Sequence, residues 1–160
     1  MVSRNNYFII ILTIFVAFLL AAMPLPDWIT QGRPAWVAMV VIYWCMALPQ
    51  RVSIGTAFIS GVLMDVLQGS LLGQHAIGLS IIAYVTVKLH LQIRQHPLYQ
   101  QALFVGFLIT VYLCLVAWVN GIIGRPPQSW SFLMPVLTSM LLWPWLFVIL
   151  RDIRRSAQVS

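Results

Sequence analysis

Six runs of apolar residues, broken only by short polar stretches, leave this chain few ways to fold. They cover residues 7–23, 35–48, 53–72, 75–91, 98–121 and 132–150, with connections of about a dozen residues at most. At 1.5 Å per residue most approach the roughly 30 Å of a bilayer's hydrocarbon core. The second, at about 21 Å, must tilt little, thin the bilayer or be sheltered by its neighbours. Only 8% of the 160 residues are charged and 61% are hydrophobic, so the reading is an all-α polytopic membrane protein with six transmembrane helices in one integral domain over residues 1–160. The first run follows Arg4 and ends in Ala21-Ala22, as a signal peptide's would. It is longer than such a segment and is followed by five more hydrophobic runs, so it is read as a retained helix.

Charge placement predicts the orientation. Arg4, Arg51, Lys88, Arg94, Arg151, Arg154 and Arg155 fall on one side of the six runs and only Arg33 and Arg125 on the other. The positive-inside rule then puts both termini in the cytoplasm. The net charge of +6 is thus spent on topology rather than on nucleic acid, for which no basic face with interleaved aromatics exists. Cys45 and Cys114 sit within apolar runs and read as small hydrophobes.

Asp65 is the acid that breaks this pattern. A carboxylate at membrane depth costs about 2.5–3.5 kcal/mol on insertion scales, and counting from the cytoplasmic end of its helix places Asp65 about 18–20 Å up, in the outer half. Around it, small residues recur every fourth position: Ala57, Gly61, then Gly69 and Gly73 after Asp65. Such spacing lets helix backbones approach closely and is a candidate surface for a partner or ligand. Tyr43, Ser80, Tyr84, Tyr112, Thr138 and Ser139 are the hydrogen-bonding groups at similar depth, and a neutral acid is one way to meet the desolvation cost. His75, His90 and His96 are read as rim residues in solvated interfaces, too far apart to share a metal. With no Ser-His-Asp set, no phosphate-binding loop and no second acid near Asp65, the expectation is a protein without enzymatic activity and without a cofactor or metal.

Leu142-Trp-Pro-Trp-Leu146 in the last run is expected to kink at Pro144. Trp143 and Trp145 suit the inner interface belt, and Arg151, Arg154 and Arg155 suit anchoring or docking beside anionic lipid.

Taken in order, Met23-Pro-Leu-Pro-Asp27, Arg33-Pro-Ala-Trp36, Tyr43-Trp44, Ala47-Leu-Pro-Gln-Arg51, Gly61-Val-Leu-Met-Asp65 with Gly69 and Leu72-Gly73, Ser80-Ile-Ile-Ala-Tyr84 and Leu142-Trp-Pro-Trp145 closely resemble the MreD family of rod shape-determining proteins. The resemblance implies a place in the bacterial inner membrane within the machinery for cell elongation and lateral peptidoglycan synthesis. It implies MreC as direct partner, with MreB, the RodA glycosyltransferase and its transpeptidase partner in the same complex. It also implies a bundle similar to the substrate-binding components of energy-coupling-factor transporters, and no catalytic residues. The leading expectation is a scaffold that binds MreC through the Ala57, Gly61, Asp65, Gly69, Gly73 face. The alternative is a membrane protein that binds a ligand or lipid precursor in an outer-leaflet cavity near Asp65.

Overall fold

The computed structural model describes residues 4–24, 26, 35–50, 52–69, 72–124 and 133–156, with side chains from Tyr7 onward. The linkers carrying Asp27, Arg33 and Arg125, and the turn residue Arg51, lie outside them. Six helices follow in order: α1 (Arg4–Ala22), α2 (Trp36–Ala47), α3 (Ile54–Gln68), α4 (Gln74–Arg94), α5 (Leu98–Ile122) and α6 (Met134–Ser156). The all-helical expectation holds.

Three of them, α4, α5 and α6, are long and apolar enough to cross a membrane; α1, α2 and α3 are shorter apolar helices. The reasons are local. The 53–72 run stops being helical at Gln68 because Gly69 takes a left-handed φ of 65°, and Gly73 follows at 99°, conformations that cost an L side chain energy and glycine almost none. Of the run anticipated as one long helix, residues 54–68 form a 15-residue helix, and Gly73 is already the N-cap residue of α4.

Helix α2 has only 12 residues, and all ten from Val37 to Met46 are buried. A helix that is apolar on every side and too short to span belongs in a core, and its neighbours supply that shelter. It packs against α1, α4, α5 and α6. Trp44 donates its indole N–H to Thr13 Oγ1 at 2.8 Å, and Thr13 donates in turn to the Ile10 carbonyl at 2.8 Å. Ile10, Ile14, Ala17 and Phe18 of α1 complete that side of the core. The remaining helices pack as sequential neighbours, α3 on α4, α4 on α5 and α5 on α6.

The closest of these contacts is α3 against α4. A Cβ on Gly61 would fall on the Ala76 backbone and lie 2.8 Å from the His75 carbonyl carbon. A Cβ on Gly55, in the same helix, would meet nothing within 4 Å. Gly61→Ala is expected to force α3 and α4 apart and to destabilise the fold by about 1–3 kcal/mol. Gly55→Ala should leave it unchanged or raise its stability by about 0.5–1 kcal/mol through helix propensity. Thermal unfolding of both purified variants in one detergent checks the opposite signs.

Candidate functional site

Asp65 lies in the last turn of α3 and is 1% exposed. Its two oxygens point at the start of α4. Oδ2 accepts the Gly73 N–H at 2.8 Å, Oδ1 accepts the His75 N–H at 2.9 Å, and His75 Nδ1 lies 2.7 Å from the same Oδ1. Both oxygens thus accept backbone N–H groups, and the His75 imidazole is a third polar neighbour of the carboxyl.

The location explains the need. The first four N–H groups of a helix have no partner within it. Gly73, the N-cap residue of α4, carries no side chain that could cap it. Asp65 supplies the missing cap from the preceding helix, and its oxygens sit at the positive end of the α4 dipole, where acceptors are favoured. The 2.7 Å contact with His75 Nδ1 adds to this. Tyr112 of α5 closes the site with its ring tilted over the imidazole at 5.9 Å between centroids. Gly78 makes room for it, since a Cβ there would lie 2.7 Å from Tyr112 Cδ2. Next to His75, Gln74 ties α4 to α5 by donating to Asn120 Oδ1 at 2.9 Å and to the Val116 carbonyl at 3.3 Å.

This arrangement corrects several sequence expectations. His75 is not a solvated rim residue: it is 6% exposed and is a direct partner of Asp65. Of the six groups proposed to meet the carboxyl, only Tyr112 is at the site, through its ring. Ser139 instead accepts the Ala35 N–H at 3.1 Å, Ser80 donates to the Ala76 carbonyl, Thr138 to the Met134 carbonyl, and Tyr84 accepts from Lys88. Tyr43 lies at the other end of the bundle, beside Arg94 and Arg151. Ala57, Gly61 and Asp65 do share a buried face, but α4 of the same chain already occupies it. Gly69 and Gly73 belong to the turn, with nothing within 4 Å of a Cβ at either. The sequence signal missed was the distance of ten residues from Asp65 to His75, the span of one helix end, a glycine turn and one helix start.

At the opposite end, α6 runs unbroken through Pro144. Trp145 is exposed, as an interface residue would be, whereas Trp143 is fully buried and packs against Phe147, so Trp143 is a core residue and not part of a belt. Arg151 and Arg154 are half-buried and Arg155 is exposed. A cavity of about 370 Å³ lies between the end of α1 and the end of α3, lined by Ala21, Met23, Met64, Leu67 and Gln68 among others; Asp65 does not line it.

Asp65→Ala is expected to cost about 1–3 kcal/mol, since it leaves buried donors unpaired. In a double-mutant cycle with His75→Ala the coupling should be about 0.5–3 kcal/mol. Thermal unfolding measures both, and hydrogen exchange at the His75 amide should accelerate in Asp65→Ala.

Comparison with known proteins adds a family to this geometry. A family model described as rod shape-determining protein MreD matches residues 1–153. The chain is similar to the rod shape-determining protein MreD of Haemophilus influenzae, 34% identical over 154 residues that cover 96% of this chain and 95% of the relative. No solved structure matches it.

Proposed function

The chain belongs to the MreD family of rod shape-determining proteins, and from that premise we propose that it is a scaffold of the cell-wall elongation complex in the bacterial inner membrane, binding MreC directly. MreB, RodA and its transpeptidase partner are the further members of the proposed complex. The observation that carries this reading is a family match running through all six helices, in a membrane protein whose family is shape-determining and not enzymatic.

The physical case is that a scaffold needs a fixed surface, and in lipid such surfaces associate by packing and interhelical hydrogen bonds. The α3–α4 hairpin is fixed from within by Gly61 and Asp65. Partner binding through this segment is therefore assigned to its outer side, where Phe58, Ile59, Leu63 and Val66 are exposed. The proposed topology has six crossings with both termini cytoplasmic. In support, Arg94, Arg151 and Arg154 gather at one end of the bundle, opposite the end that holds Asp65. A bundle similar to the substrate-binding components of energy-coupling-factor transporters is part of the proposal, supported by the helix count. No observation favours the ligand-cavity alternative, because Asp65 is turned into α4.

In a rod-shaped bacterium lacking its own copy, this chain is expected to restore rod shape and to co-purify with MreC. Ile59→Trp and Leu63→Trp, which remain apolar and lipid-compatible, should lower MreC recovery several-fold at unchanged membrane levels. Normal recovery with both removes α3 from the interface. Absence of MreC with the unsubstituted chain removes the scaffold reading.

A further inference from the structure

A second pocket, half open to the outside, lies at the arginine-bearing end, where α2, α4 and α6 finish and α5 begins. It measures about 220 Å³, and Arg94, Arg151 and Arg154 line it together with Tyr43, Gln101 and Phe147. Among the described residues, no carboxylate lines it. The one described acid nearby, Asp152, is 64% exposed and 3.9 Å from Arg151 Nε.

Buried polar atoms are rarely left without a partner, yet this cavity is bordered by three such groups. Tyr43 is 1% exposed and Gln101 4%. The Tyr43 hydroxyl, Gln101 Oε1 and Arg151 Nε are buried with no hydrogen-bond partner among the described residues. The orientation of Gln101 is fixed, because its Nε2 donates to the Ile93 and His96 carbonyls at 3.2 Å each. Its free oxygen is thus a fixed acceptor, buried in the wall of the pocket that Gln101 lines.

We propose that this cavity binds the phosphate ester of an acidic lipid headgroup that also carries a hydroxyl, of the phosphatidylglycerol class. The guanidinium groups and the Tyr43 hydroxyl donate to the phosphate oxygens, and Gln101 Oε1 accepts from the headgroup alcohol. Diffuse attraction of loop arginines to anionic lipid needs no cavity and no aligned acceptor. Basic pockets between transmembrane helices are where specific headgroups are held.

Native mass spectrometry of the purified full chain tests this, with phosphatidylglycerol, phosphatidylcholine or inorganic phosphate added separately. Phosphatidylglycerol is expected to be retained in preference to phosphatidylcholine. Tyr43→Phe, which keeps the ring packing, and the double variant Arg94→Ala, Arg154→Ala should each weaken that retention roughly tenfold, as for loss of a charge-assisted hydrogen bond. Phosphatidylcholine retention should not change. Equal retention of the two lipids, or a preference that survives both variants, overturns the proposal. Displacement of phosphatidylglycerol by inorganic phosphate assigns the cavity to the free ion and overturns the lipid.

Discussion

A helix whose first turn is buried starts with N–H groups that neither the helix nor water can satisfy, and this fold depends on how that deficit is met at α4, where Gln74 and His75 are buried. The residue in the capping position, Gly73, is there because the turn needs a positive φ, so it cannot also offer a capping side chain. Asp65, one turn back across the hairpin, provides both acceptor oxygens. A related solution recurs at α2, whose capping residue Ala35 donates its own N–H to Ser139 of α6. In both cases the acceptor comes from another helix. Helix starts that might have been local features thereby become bonds between elements.

Consequences follow for the rest of the bundle. Because Asp65 fixes where α4 begins, it also fixes which residues of α4 meet α3, and Gly61 can be matched to Ala76 at backbone distance. That placement sets His75 under Tyr112 and Gln74 against Asn120, so α5 is located by the same start point. α2 fills the space that α1, α4, α5 and α6 enclose. The energetic penalty of an acid in lipid is met by N–H donors and helix charge, and it yields a rigid hairpin suited to a shape-determining protein. The basic end is built differently, with arginines at helix ends and unpaired polar atoms between them, which suits a ligand from outside the chain.

Much of this was legible in the sequence. Apolar run length located all six helices, and the shortness of the second left three outcomes, of which the structure shows shelter by its neighbours. The unusual status of Asp65 was legible too, since one acid among apolar residues is an energetic anomaly whatever surrounds it. Its partner was not legible. His75 looked like a rim residue because it opens an apolar run, and run boundaries say nothing about whether a glycine turn folds that boundary back onto the previous helix. Trp143 and Trp145 were indistinguishable as letters, two residues apart, yet a helix turns about 200° between them, so one is buried in the core and the other exposed.

The sequence by itself determined that the chain is a helical membrane protein, that Asp65 must be compensated, and that its positive charge gathers toward one side. These rest on composition and one-dimensional spacing, which the bilayer converts directly into structure. Only the tertiary structure decided that the small-residue face is covered by α4, that His75 and two backbone N–H groups compensate Asp65, and that three arginines close around Tyr43 and Gln101. Those outcomes depend on which helix faces meet, and that is set by turn conformation and close packing between segments distant in the chain.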